Sequence, residues 1–521
     1  MVTGTQRLAV SFFALFCVIG ALSTPAHSEP HLKVIGWPQT LKVEAQPPEW
    51  LGDDPFLGRL ACPALTRLNL ARGGSEPVLL ARAGVTSGEW QFELRPGLRW
   101  WNGDAVSVAD LEAFLHKHLA EIAKERGAGL WDVPSSTFST TPKSMVLTVR
   151  WDKLPKFGPW ILNGVPFFRA VPANRVAPQS SAASAAEQRL SWECAGLYAL
   201  RPAAAGWEMV PNSGYAGSRR PILSTQTPPE APSSLPKGSI VFGMARDQKD
   251  SNALRKAESD VSCRPTVDLP FVSAIVWNIR KDPMSSTELR RVMTQLTPRG
   301  ELMRAGSALL GELVSAPIPR IHPGYDPGQR VRQYSVDAAT KALNRLGFKR
   351  DRADAPRRDR AGQPMKLVIG MDGSGGGLVG KVIADAFALV GIAVEFRVLA
   401  NSSGSFFTNT ETDVDGVITT VQLPWPGSDF LQTFHTKARA TGPFLPLNNE
   451  QLDRDLEAYA LSLTTERPEF SLLRRIHDRL YELEPMTSLF QHRACLRRIG
   501  DSGSVARIDP RDPDWMRKLI L

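Results

Sequence analysis

The stretch "FELRPGLRWWNGDAVSVADL", Phe92–Leu111, decides how this chain is read. Phe92 and Leu94 alternate with polar neighbours, which is the period of a half-buried strand. Asn102-Gly103 is a turn dipeptide, because Gly accepts positive φ freely and Asn nearly so. Ser107 or Asp110 is placed to cap a helix that continues through "ADLEAFLHKHLAEIAKE". Trp100 and Trp101 stand just before the turn and suit either packing or ligand stacking. Burying one aromatic ring is worth about 2–3 kcal/mol, so packing is the expected role.

Outward from this stretch, the chain begins with Arg7, the apolar run "LAVSFFALFCVIGAL" and then "STPAHSEP". One positive charge, a short apolar core and small residues near Ala26 and Ser28 predict a secretory leader cut after Ser28. The run is too short for a comfortable membrane span; a retained anchor is the alternative. Cys17 follows Phe16, and a lipidated leader carries a small residue before its cysteine, so no lipid anchor is expected. The remaining length, about 490 residues, exceeds one compact core and predicts two or three lobes.

The formal charge of the whole chain is +9; Arg7 lies in the leader, so +8 remains. That excess suits an acidic ligand or an anionic surface. The basic residues are scattered, with one cluster at "KRDRADAPRRDR", read here as a solvated loop. No nucleic-acid motif is present. Outside the leader stand Cys62, Cys194, Cys263 and Cys495, far apart and without metal-type spacing. An oxidising compartment allows one or two disulfides, and four cysteines allow three complete pairings.

Strands alternate with helices along the chain, which predicts an α/β class. "DDPFLGRLACPALTRLNL" has an apolar pattern compatible with a helix. "STFSTTPKSMVLTVRW" reads as a strand pair. "APQSSAASAAEQ" and "STQTPPEAPSSLPKG" read as connectors. "PFVSAIVWNIR" is a buried strand and "TELRRVMTQLTPRGELMRAG" is helical. "SVDAATKALNRLGF" is a helix with Ser335 as cap and Gly347 as stop. "MKLVIGM", "IAVEFRVL" and "VDGVITTVQL" are strands. "NNEQLDRDLEAYALSL" and "RPEFSLLRRIHDRLYEL" are amphipathic helices.

"GGGLVGKV", Gly375–Val382, satisfies the G-x-x-x-x-G-K pattern between a strand and a helix. Val382 stands where a Ser or Thr should hold magnesium, so no nucleotide site is expected. His116 and His118 point to different helix faces, no His-Glu-x-x-His occurs, and His435, His477 and His492 are isolated. No Gly-x-Ser-x-Gly elbow appears. Asp53-Asp54 and Asp413/Asp415 have no distinguishing context. Neither an enzyme nor a cofactor is expected.

The opening stretch resembles the signature turn of bacterial extracellular solute-binding proteins of family 5. Leu94, Arg95, Gly97, Trp100, Gly103, Asp104, Val106, Ala109 and Asp110 carry the likeness. "CAGLYAL" around Gly196 and Tyr198 and "PNSGYAG" resemble later family segments, with Leu197 replacing a proline. "VWNIRKDPMSSTELRRVM", with Asn278 and Arg291, is similar to the family's strand and helix. "APIPRIHPGY", "DAATKALNRLGF", "FALVGIAVEFRVL" and the closing helices continue the resemblance in order. "TQLTPRGEL" departs from the usual Ala-x-Asp-Arg.

The resemblance implies an α/β, two-lobed periplasmic-binding-protein fold of type II, peptide-binding-like, with an additional subdomain in the N-terminal lobe. The expected division is a leader at 1–28 and an N-terminal lobe over 29–265 with an inserted subdomain at about 52–190. A C-terminal lobe follows over 266–485, and 486–521 returns to the N-terminal lobe. The implied function is the periplasmic receptor of an ABC importer, a monomer that closes over a peptide or similar small solute and presents it to a membrane permease. Nickel or another non-peptide solute is an alternative ligand. A degenerate sensor or scaffold without transport is an alternative role. In the loop "QLPWPGSDFLQTF", Asp429 is the only acid. By likeness to peptide-binding relatives it is placed to capture an α-amino group, with Trp425 as a wall. Its alternative is a helix N-cap before "FLQTF". Asn278 and Trp277 complete the implied ligand contacts.

Overall fold

The computed structural model describes residues 16–19, 31–35, 58–125, 132–140, 144–171, 192–203, 206–214, 222–226, 240–243, 265–305, 311–315, 318, 320, 322–371, 376–399, 413–422, 430–437, 445 and 447–498. The chain separates into two units. The N-terminal unit takes Leu15–Gly243, Glu457–Glu469 and Leu496–Leu521; the C-terminal unit takes Met1–Ala14, Met244–Leu456 and Phe470–Cys495.

In the N-terminal unit, β1 (Phe16–Ile19) pairs antiparallel with β2 (His31–Ile35). The segment read as a leader therefore contributes a strand in the full-length chain. "DDPFLGRLACPALTRLNL" is not one helix. It gives the short α1 (Gly58–Ala61) and then β3 (Thr66–Asn69), which pairs with β4 (Gly74–Pro77). Pro63 lacks an amide hydrogen, and Cys62 is bonded to Cys194, so the helix has nowhere to continue.

β5 (Leu80–Thr86), β6 (Glu89–Leu94), β7 (Ser136–Thr140) and β8 (Val146–Trp151) form an antiparallel sheet in the order β5-β6-β8-β7. Trp90, Phe92 and Leu94 are buried along β6, while Gln91 and Glu93 alternate outward, as the sequence pattern requires. Gly103 has φ 90°, and Asn102 Oδ1 accepts from the Asp104 amide at 2.9 Å. Helix α2 (Val108–Glu125) starts with a reciprocal cap: the Asp110 amide donates to Ser107 Oγ, and the Ser107 amide and hydroxyl donate to Asp110 Oδ2.

The paired tryptophans are packing residues. Trp100 is fully buried, stacks on Phe167 at 5.1 Å, and donates through Nε1 to Asp110 at 3.3 Å. The Arg169 guanidinium lies 4.7 Å over the Trp100 ring and bridges Glu193 (2.6 Å) and Asp104 (2.9 Å). Trp101 Nε1 donates to the Ala61 carbonyl at 3.0 Å. Arg169 belongs to β9 (Phe168–Ala170) and Glu193 to β10 (Trp192–Cys194), which pair with each other. Gly196 must be glycine, because a Cβ there would sit 2.0 Å from the Ala61 carbonyl oxygen. Asn212, from "PNSGYAG", is buried and donates to the Gly196 carbonyl at 2.9 Å. The unit's larger sheet runs β11 (Tyr198–Ala203), β12 (Gly206–Pro211), β13 (Ile222–Gln226), β2, β1 and β14 (Ile240–Gly243).

The C-terminal unit centres on β15 (Pro265–Trp277). The predicted helix "TELRRVMTQLTPRGELMRAG" divides into α3 (Thr287–Leu296) and α4 (Arg299–Ala305). Thr297 precedes Pro298 and takes extended angles, φ −82° and ψ 113°, because the ring disfavours a helical residue before it. Helix α5 (Val336–Arg345) has Ser335 accepting from the Ala338 amide, and Gly347 follows it at φ 88°. β16 (Lys366–Met371), α6 (Gly376–Ala388) and β17 (Ala393–Val398) form a parallel crossover unit. β18 (Gly416–Gln422), α7 (Phe430–Phe434), α8 (Glu450–Ser462), α9 (Phe470–Leu483) and β19 (Met486–Arg498) follow. The strand order is β19-β15-β18-β16-β17. Leu289, Val292, Met293, Leu343, Phe387 and Ile369 are among the buried side chains of its core.

The cluster "KRDRADAPRRDR" is only partly solvated. Arg357 is fully buried and donates to the carbonyls of Val390 (2.9 Å) and Phe348 (2.7 Å). Arg350 donates to the carbonyls of Ala355 and Leu389, each at 2.8 Å. Backbone oxygens left over by neighbouring turns thus take up charge that sequence reasoning sends to water.

Candidate functional site

β16, β17 and β18 run parallel, so their carboxyl ends point to one edge of the sheet: Met371 pairs with Val398 and Ile418, and β18 runs four residues further, to Gln422. Ligands of open α/β sheets gather at carboxyl strand ends, where side chains from several loops converge. Trp425 and Asp429 lie outside the described residues. Chain order puts both between Gln422, the last residue of β18, and Phe430, the first of α7.

Near that edge is a polar row absent from the sequence reading. Ser273 Oγ lies 2.8 Å from His492 Nε2 and 3.1 Å from Thr420 Oγ1. Ser273 pairs with Thr420 in register, two steps before Gln422. Burial pushes His492 down to about 4, so its imidazole is neutral at physiological pH. The neutral ring and the two hydroxyls bond to one another across three strands. Among the described residues no carboxylate orients His492, the third part of a hydrolytic triad. Sequence inspection treated His492 as isolated because its partners are 72 and 219 positions away, and strand pairing alone brings them together.

Trp277 and Asn278 lie elsewhere. Trp277 pairs with Gly416, the first residue of β18, whereas Phe271 pairs with Gln422, the last. Six strand steps separate the two ends, about 20 Å. Trp277 is 1% exposed, and its Nε1 donates to Thr487 Oγ1 at 3.0 Å. Asn278 is 4% exposed; its Nδ2 donates to the Val414 carbonyl at 3.1 Å, and its Oδ1 accepts from the Arg280 amide. Both side chains have their polar groups committed inside the C-terminal unit. They brace the start of β18 rather than its carboxyl end.

"GGGLVGKV" is not a loop between strand and helix: Gly376–Val382 lie inside α6, where Lys381 falls five residues past the first and pairs with Asp385 at 2.6 Å. A phosphate-cradling lysine stands at the helix start, so this one is misplaced for that role. No cluster of three or more metal-ligating side chains occurs among the described residues.

The whole chain is similar to solved structures of solute-binding proteins. With NikA from Brucella suis in complex with Fe(III)-EDTA it shares 13% identity, covering 94% of this chain and 99% of that one, at a TM-score of 0.72. With a nickel ABC transporter protein from Bacillus halodurans the identity is 15%, the coverage 84% and 90%, and the TM-score 0.60. With the oligopeptide-binding protein AppA from Bacillus subtilis, in complex with a nonapeptide, the values are 12%, 88% and 92%, and 0.57. No family model matches the chain, and no curated protein matches its sequence. The chain has the α/β fold of these two-lobed binding proteins.

Proposed function

We propose that this protein is an exported receptor of the family 5 type, which captures peptides and delivers them to the permease of an ABC importer. The observation that carries the reading is fold likeness along nearly the full length of both chains, 94% and 99% in one case. The Cys62–Cys194 disulfide suits an oxidising compartment such as the periplasm. Among the described residues no helix is long and apolar enough to cross a membrane. Export with cleavage after Ser28 removes β1 from the mature protein, which N-terminal sequencing checks directly.

Asp429 is the proposed ligand anchor and Trp425 its wall. A carboxylate facing a ligand ammonium in a dry site forms a charge-assisted bond. Capture needs no covalent step, and the receptor works as a monomer. The test replaces Asp429 with Asn, which keeps the shape and removes the charge. Affinity for peptides with a free amino terminus then falls about 10- to 100-fold, while N-acetylated peptides bind as before. Unchanged affinity for both overturns the role of Asp429 and leaves it a helix cap.

A second reading is a receptor for an anionic metal chelate. It is favoured by the similar structure that holds Fe(III)-EDTA and by the +8 charge that remains outside the leader. Affinity for such a chelate weakens steeply with added salt, and an affinity independent of salt removes this reading.

A further inference from the structure

Just beyond the C-terminal end of β15, within the C-terminal unit, is a cavity of about 270 Å³. Arg280, Ser285, Thr287, Thr436, Asn448 and Asn449 line it, with Arg290 behind them and no acidic residue among its walls. Arg290 has all its donors occupied: the carbonyls of Glu484, Leu483, Met284 and Ser285, and Thr287 Oγ1, accept them. Burial lowers it to about 10, so it stays charged at neutral pH. It therefore supplies positive potential and no free hydrogen bond.

The free donors come from the other walls. The exposed Arg280 guanidinium has no hydrogen-bond or ion-pair partner among the described residues; only its backbone amide is bonded, to Asn278. Thr287 Oγ1 accepts from Arg290, which leaves its hydrogen free. Asn449 Oδ1 accepts from the Leu452 amide at 2.8 Å, which leaves its Nδ2 hydrogens free. Asn448 is exposed and its amide is likewise uncommitted. The Ser285 and Thr436 hydroxyls are spent, donating to Asp282 and to the Leu447 carbonyl.

We propose that this cavity binds a small oxyanion, a dicarboxylate or a phosphate, held by Arg280, Thr287, Asn448 and Asn449. At about 270 Å³ the space falls just under the range of pockets for drug-sized ligands, about 300–1,000 Å³, which suits a small dicarboxylate or a phosphate. The cavity lies at the end of β15 opposite Phe271 and Gln422. The proposal does not rest on the receptor reading.

The test is calorimetric titration of the mature protein with succinate, with inorganic phosphate, and with neutral succinamide. Binding of succinate or phosphate without succinamide is expected, and whichever binds identifies the chemistry. Arg280→Ala weakens it about tenfold or more. The same variant keeps its thermal midpoint, because the guanidinium holds nothing in the fold. Asp429→Asn leaves this binding unchanged. Three results overturn the proposal: neither anion binds, succinamide binds equally well, or Arg280→Ala makes no difference. Loss of anion binding in Asp429→Asn also overturns it, by moving the anion to the other site.

Discussion

Arg169→Met tests whether the turn after β6 is a packed corner. Arg169 sits over Trp100 and holds Glu193 at 2.6 Å, Asp104 at 2.9 Å and Asp110 at 3.8 Å. The Glu193 side chain is 7% exposed and that of Arg169 is 25% exposed. Removing one partner of a fully buried pair costs about 3–5 kcal/mol, since the other charge is left stranded. Solvent reaches Arg169 and Asp104, so the expected loss is about 2–3 kcal/mol. Glu193 also accepts from the Asn102 amide at 3.3 Å, a bond that Gln keeps. Arg169→Met with Glu193→Gln removes the deeply buried charge, leaves only the more exposed Asp104 and Asp110 without their cation, and costs less than Arg169→Met alone, about 1–2 kcal/mol. Urea denaturation followed by tryptophan fluorescence reads this directly, because Trp100, Trp101 and Trp192 surround the site. Ligand affinity of the folded variant stays unchanged. A loss below about 0.5 kcal/mol refutes the packing argument. Lost affinity with intact stability shows the corner to be a ligand surface.

Three further outcomes follow from the same structure. Reducing the Cys62–Cys194 bond, which closes 132 positions of sequence, lowers stability by about 2–5 kcal/mol, seen as a fall in thermal midpoint that Cys62→Ala/Cys194→Ala reproduces. His477 is fully buried, its Nδ1 lacks a partner among the described residues, and burial pushes it down from 6.5 to about 4, with Asp326 opposing and Arg474 assisting. The unfolded chain thus binds more protons between those values; stability is complete above about pH 6.5 and falls as pH drops toward 4. His477→Phe makes the fall in melting temperature over that window shallower, the share of His492, also pushed down to about 4, remaining; an unaltered profile contradicts the assignment. Asp429→Asn discriminates free from acetylated peptides as described above, measured by titration calorimetry.

Local chemistry was legible wherever it was decided locally. Phe92 and Leu94 alternate because one sheet face is buried. Ser335 and Gly347 bound a helix because a hydroxyl accepts a free amide and glycine takes φ 88°. Arg357 was misread, because its acceptors, the Val390 and Phe348 carbonyls, become neighbours only on folding. "LGRLACPALTRLNL" was misread because a distant cysteine and a pairing strand overrode its spacing. The row of Ser273, Thr420 and His492 escaped notice for the same reason: three strands assemble it. Trp277 and Asn278 carried a resemblance that reflects bracing at the far end of β18, so a recurring residue marked architecture there.

The most direct test of capture is native mass spectrometry of the protein purified from the periplasm, with mild denaturation to release bound material. The account predicts a ladder of short peptides. One defined anionic chelate would keep the receptor role and transfer it to the second reading. A protein that is empty, and that gains no thermal stability from peptide mixtures or metal chelates, contradicts a capture function and points to a sensor or scaffold.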